Sequence, residues 1–183
     1  MPEGKSTNTK NDHYERRKNM TEISVLNCCA LLAEKKLKIA FTESATAGAL
    51  SVAFALTPYS GSILLGSIVC YDADEKRNIL NVPQELIDKH TPESSEVTNC
   101  MAVNAKKMFN KADILVAVTG LTKSGGSETD DKPVGTMYID FIFPEYHLQV
   151  KEVFLGNSHQ IVHQTIKKTA DIITAHLTKT DEN

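Results

Sequence analysis

Tryptophan is absent from the 183-residue sequence and aromatic residues make up only 6% of it. No uninterrupted apolar run approaches the roughly 20 residues needed to cross a bilayer. The N-terminus is polar and lacks the apolar centre of a signal peptide, so the expectation is a cytoplasmic protein with no membrane partner. Cysteine is also scarce. Cys28, Cys29, Cys70 and Cys100 form no CxxC pair and lie near no regularly spaced histidine. That pattern argues against a disulfide framework or a zinc site and for buried free thiols in a reducing compartment. Neither sign of charge is in large excess: 20 Lys+Arg stand against 23 Asp+Glu, a net charge of −3. Lys5, Lys10, Arg16, Arg17 and Lys18 outnumber Glu3, Asp12 and Glu15, so the remainder of the chain is more acidic than the net value suggests. A mildly acidic body lacks the basic face expected of a nucleic-acid-binding protein.

The length suits one domain, since single cores run to about 100–200 residues. Residues 1–20 are rich in Lys, Asn, Thr and Asp and nearly empty of aliphatic side chains, which predicts a flexible polar tail ahead of a domain over 21–183. From Thr21, Ile23, Leu26, Ala30 and Ala33 recur at helical intervals. Leu37–Phe41 reads as a buried strand, and Ala45–Leu56 as a helix with Ser44 at its N-cap position and Thr57-Pro58 as its stop. A strand over Leu64–Tyr71 follows the Ser60-Gly61-Ser62 turn. Asp72 and Glu75 have the spacing of a capping box, which places Lys76 in the first turns of a helix. Val97, Met101, Ala105 and Met108 mark another helix, and Ile114–Val118 a central strand ending at Thr119-Gly120. Val134–Phe143 and Leu148–Phe154 predict an antiparallel hairpin, and Val162, Ile166, Thr169, Ile173 and Leu177 a final amphipathic helix. Strands alternating with helices predict an α/β fold: a three-layer α/β/α sandwich around a mixed, mostly parallel sheet of about five strands.

Open α/β sheets bind ligands beyond the carboxyl ends of their strands, which directs attention to Thr42–Gly48, Tyr71–Lys76 and Thr119–Gly135. Ser44 has two readings: a helix cap, or a nucleophile beside helix N-terminal amides that could hold an oxyanion. Its neighbours do not form G-x-S-x-G and no His-Asp pair suggests a triad, so a lysine is the better base for it. Lys76 and Tyr71 could supply a base and a proton relay, or be a solvated lysine and a strand-end tyrosine. Gly125-Gly126-Ser127 with Lys132 reads either as a phosphate cradle or as a polar surface loop. The order of a Walker A loop is absent. His147, His159 and His163 are too scattered for a metal site and read as surface histidines.

Taken together, Thr42-Glu43-Ser44-Ala45-Thr46-Ala47-Gly48, Tyr71 and Lys76, Ser95-Glu96, Thr119-Gly120, Gly125-Gly126-Ser127 and Lys132-Pro133-Val134-Gly135-Thr136 resemble the C-terminal domain of the CinA family, the nicotinamide-nucleotide amidases. The resemblance spans about residues 21–178 in the family's order, with no counterpart of the separate N-terminal domain of full-length members, which suggests the stand-alone form. It implies deamidation of nicotinamide mononucleotide to nicotinate mononucleotide and ammonia. Ser44 would be the nucleophile, Lys76 its base and Tyr71 a relay or orienting group. Ala45, Thr46, Gly48, Thr119, Gly120, Gly125, Gly126 and Lys132 would border the nucleotide substrate. No metal or cofactor is required, and family members are commonly homo-oligomers.

The sequence also departs from the family's pattern. Ala45 and Ala47 replace a cysteine and a glycine of Glu-Ser-Cys-Thr-Gly-Gly, and a methyl group at Ala47 narrows the approach to the helix end. Leu121-Thr122-Lys123-Ser124 replaces Ile-Ala-Gly-Pro, and Ser158 and Val162 stand where the family has arginines. Losing those cations weakens phosphate recognition unless Lys123 or a histidine substitutes. Two alternatives follow: a catalytically altered or inactive domain that binds another nucleotide or a protein partner, and a hydrolase of a non-phosphorylated amide.

Overall fold

The computed structural model describes residues 9–179. In chain order the elements are α1 (Thr9–Glu34), β1 (Ile39–Glu43), α2 (Ala49–Ala55), α3 (Ser60–Ile63), β2 (Leu64–Val69), α4 (Ala73–Leu80), α5 (Gln84–His90), α6 (Ser95–Met108), β3 (Ile114–Gly120), β4 (Thr136–Ile142), β5 (His147–Val153) and α7 (Ser158–Lys179). The sheet order is β2-β1-β3-β4-β5. β1 pairs in parallel with β2 and β3, while β3–β4 and β4–β5 are antiparallel, so β4 alone opposes the other four strands. The α/β class and the mixed, mostly parallel five-stranded sheet are as the sequence predicts.

Alternation along the strands divides the interior into two cores. On one face Ile39, Phe41, Ile114, Val116 and Val118 pack with Val25 and Leu32 of α1, Phe54 of α2 and Ile173 of α7. On the other, Ala40, Leu115 and Ala117 meet Leu80 of α4, Ile87 of α5 and Val97 and Met101 of α6. Cys28, Cys29 and Cys70 are buried free thiols and Cys100 is partly buried. Burial pushes the Cys29 thiol up to about 11. No helix among the described residues is long and apolar enough to cross a membrane.

Several boundaries differ from the sequence reading. The predicted tail over 1–20 lies outside the described residues for 1–8, but from Thr9 the chain is already helical, twelve residues before the expected start at Thr21. No Gly or Pro stands between Lys5 and Ala47, and Glu15, Arg16, Arg17 and Lys18 are good helix formers, so nothing in the chain stops the helix at residue 21. α2 begins at Ala49 rather than Ala45, because Ala47 (φ 49°) and Gly48 (φ 93°) are left-handed and interrupt the turn ahead of it. Ser60-Gly61-Ser62 forms α3 rather than a turn. α5 had no counterpart in the sequence reading.

Candidate active site

Ser44 follows β1 directly, and its amide donates to the Val118 carbonyl of β3 at 2.9 Å, which continues the parallel ladder one step past the strand end. Alternation turns Glu43 toward α2 and Ser44 toward the α4 side. α4 is started by Asp72, whose carboxylate accepts from the Asp74 amide at 2.8 Å. Four residues beyond that cap, the Lys76 side chain is 1% exposed. Its Nζ donates to Ser44 Oγ at 3.0 Å and to the Tyr71 carbonyl at 3.4 Å. Burial holds the Lys76 amine below its ordinary value, opposed first by the Glu93 carboxylate and then by Cys70 and Asp72. A lysine so placed keeps a larger neutral fraction near pH 7, the form that can take a proton from a serine hydroxyl.

The pair opens into a cleft of about 210 Å³ lined in part by Ser44, Ala45, Tyr71, Glu93, Gly120 and Lys123. Gly125 and Gly126 complete one wall. Of the residues singled out in the sequence, Ser44, Ala45, Tyr71, Gly120, Gly125 and Gly126 therefore reach the cleft, and Lys76 stands behind Ser44. Tyr71 meets Lys76 through its main-chain oxygen; its half-exposed phenol borders the cleft. Thr46 and Gly48 instead donate to Glu43 (2.7 and 3.0 Å), and Thr119 shares a 2.6 Å hydrogen bond with Thr98 behind the wall.

The glycine loop is differently arranged from an open phosphate cradle. The Gly125 and Gly126 amides both donate at 2.8 Å to the Glu128 carboxylate, and these bonds hold Glu128 below the usual carboxylate range. Lys132 donates to Thr91 Oγ1 (2.7 Å), the Glu93 carbonyl (3.1 Å) and Ser127 Oγ (2.7 Å). Ser127 in turn donates to Glu93 Oε2 at 2.5 Å. Lys132 thus braces the cleft from outside. Ser158, at an arginine position of the family, donates to the Thr122 carbonyl at 2.7 Å, so the start of α7 abuts the same wall.

Glu93 lies outside the loops to which the sequence directs attention, whereas Leu121 and Thr122 fall within Thr119–Gly135. Nothing marks Glu93 within Pro92-Glu93-Ser94; only the packing of the α5–α6 connection brings it to Ser44. His159 and His163 line a separate, mainly apolar cavity of about 550 Å³ between α1, α2 and α7. His147 pairs with the buried Asp140 on the outer strands, and Gln149 donates to the same carboxylate at 3.0 Å.

This α/β domain sets a serine at the carboxyl end of a parallel strand against a buried lysine, a candidate nucleophile beside a candidate base. The family model for the CinA C-terminal domain matches residues 22–177, and the chain belongs to that family. It is 37% identical over 132 residues to a CinA-like protein of Prochlorococcus marinus subsp. pastoris, covering 71% of this chain and 30% of that protein. A CinA-like protein of Thermotoga maritima is 35% identical over 131 residues, covering 72% and 31%. The chain thus spans about a third of the length of the curated relatives it matches. Among solved structures, a CinA superfamily protein from Klebsiella pneumoniae 700603 superimposes with a TM-score of 0.80 at 22% identity, covering 87% of this chain and 98% of that one. A competence/damage inducible protein from Agrobacterium tumefaciens gives 0.79 at 23% identity, covering 87% and 96%. These likenesses establish the fold.

Proposed function

We propose that this chain is an amidohydrolase that deamidates nicotinamide mononucleotide, with Ser44 as nucleophile and Lys76 as general base. The observation that carries the reading is the 3.0 Å approach of a buried Lys76 amine to the Ser44 hydroxyl at the head of a cleft. Neutral Lys76 takes the Ser44 proton as Oγ bonds to the carboxamide carbon. The oxyanion is held by amides of the turn after Ser44, at Ala45 and Thr46. The protonated lysine then gives its proton to the departing nitrogen, releasing ammonia and leaving an ester on Ser44. Water, deprotonated by the same amine, cleaves that ester to the carboxylic acid and restores the serine hydroxyl. The Tyr71 carbonyl keeps the amine aimed through the cycle.

Purified protein should release ammonia from nicotinamide mononucleotide, and Ser44→Ala should abolish the release. Lys76→Arg should lose about 10²–10⁴-fold in kcat, because a guanidinium cannot act as the base. Absence of turnover by the unaltered protein across pH 6–10 would overturn the reading.

A second reading, hydrolysis of a non-phosphorylated carboxamide, is favoured by the state of the glycine loop. Its two amides already hold the Glu128 carboxylate and Lys132 is engaged elsewhere. Lys123 is the lysine side chain that lines the cleft. Relative turnover of the nucleotide, the nucleoside and the free amide separates the two readings.

A further inference from the structure

Glu43 is fully buried on the face of β1 opposite Ser44, and no salt bridge to it is found among the described residues. Its carboxylate is surrounded by donors instead. Oε2 accepts from Thr46 Oγ1 at 2.7 Å, the Gly48 amide at 3.0 Å and the Leu50 amide at 3.0 Å. Oε1 accepts from the Ser51 amide at 2.9 Å and from Ser67 Oγ at 3.0 Å. A carboxylate has about four lone-pair sites, so these donors saturate it. Three of them are main-chain amides at the start of α2, where a negative charge also complements the helix dipole. The side chain therefore replaces the serine cap that the sequence suggested, and it does so from the residue before the nucleophile.

Two of the contacts bear on Ser44. Thr46 and Gly48 flank Ala47, whose φ of 49° is unfavourable for a residue with a Cβ; the carboxylate ties down this turn on both sides of Ala47, directly after Ser44. Ser67 lies on β2, the strand that continues through Cys70 and Tyr71 into α4 and Lys76. The Cys70 amide donates back to the Glu43 carbonyl at 2.8 Å. Glu43 thus joins, through one side chain and one main-chain oxygen, the turn that carries the nucleophile and the strand that delivers the base.

We infer that Glu43 is the positioning residue that sets the Ser44–Lys76 contact. The inference rests on the reading of that pair as the reactive one. Glutamine keeps the size but leaves a single acceptor oxygen and turns an NH₂ toward N–H and O–H donors. Aspartate keeps both oxygens on a shorter stem, and Ser67→Ala removes only the link to β2.

The test takes kcat and KM for ammonia release together with crystal structures of Glu43→Gln, Glu43→Asp and Ser67→Ala, at a temperature where circular dichroism shows each variant folded. Glu43→Gln is expected to lose about 10²-fold in kcat with KM nearly unchanged, as for an ångström-scale misplacement of a reacting group. Glu43→Asp should recover part of that loss, and Ser67→Ala should lose about tenfold, as for one hydrogen bond to a charged group. In the structures the Ser44 Oγ–Lys76 Nζ separation should exceed hydrogen-bond distance in Glu43→Gln and lengthen in Ser67→Ala. Folded variants that keep the 3.0 Å contact overturn the inference whatever their rates; if Glu43→Gln does not fold, Ser67→Ala decides by the same distance. If the unaltered protein releases no ammonia, the proposed reaction falls, while the distances still decide the role of Glu43.

Discussion

At Lys76, burial and chemistry act in the same direction. Removing the amine from water lowers its proton affinity, which costs stability and, in the proposed mechanism, supplies the base. Because the folded-state value lies below 10.5, the unfolded chain binds more protons in the interval between the two values. Stability therefore rises with pH across that interval, and the penalty is full below it. Lys76→Met, which removes the charge but keeps an unbranched chain, should raise the melting temperature at pH 7 by a few degrees while eliminating ammonia release; differential scanning calorimetry beside the ammonia assay checks both. Glu93 supplies the opposite pull, as the largest contribution favouring the protonated amine. Glu93→Gln should lower the Lys76 value further. The base is active when neutral, so the acidic limb of the kcat/KM profile should move to lower pH. A limb that stays in place or moves to higher pH would show that Glu93 does not govern this lysine.

At the scale of elements, regular periodicity was the legible part. α6, β3 and α7 lie where apolar spacing predicts them, because each buries a continuous stripe or run. β1 lies two residues later than its apolar run suggests, since its limits are set by pairing with β3 from Ile39↔Ile114 to Glu43↔Val118. Thr42 and Glu43 look like loop residues in the sequence, yet both are fully buried. For Glu43 the reason is a set of donors, four between Thr46 and Ser51 and one from Ser67 of β2, that converge on the carboxylate only once the turn before α2 has formed. α5, seven residues long, is too short to display a helical period. The open end of the β4–β5 hairpin is set by a contact remote in sequence, between Gly135 just before β4 and Phe154 just after β5. A Cβ at Gly135, where φ is 99°, would stand 2.0 Å from the Phe154 carbonyl oxygen. Gly135→Ala should therefore cost about 3 kcal/mol or more, combining overpacking against main chain with left-handed strain. Urea denaturation measures it, and a loss below 1 kcal/mol would mean that the hairpin yields easily.

The whole molecule makes the site by bringing four stretches of chain to one end of the sheet: Ser44-Ala45, Tyr71–Lys76, Glu93 and Gly120–Gly126. The first two were readable in the sequence as candidates, since a serine after a strand and a lysine after an N-cap are local features. Their 3.0 Å contact was not, because it depends on β1 and β2 being neighbours and on the length of the connection to α4. The two readings of the glycine loop could not be separated in the sequence for a related reason: Gly125 and Gly126 offer amides, but Glu128 within the same loop turns back to occupy them. A bound phosphate would have to displace that carboxylate or be met by Lys123 instead. Binding can be measured apart from turnover in Ser44→Ala. At a concentration of 100 times Kd a ligand that binds only the folded state adds about 2.7 kcal/mol, which for a chain of this size raises the melting temperature by about 5–10 °C. If the phosphate is read, nicotinamide mononucleotide should reach that shift at a lower concentration than the nucleoside, and Lys123→Ala should remove the difference. Equal responses to nucleotide and nucleoside would mean that the Glu128-filled loop has withdrawn phosphate from recognition, leaving the carboxamide and ring as the parts this cleft selects.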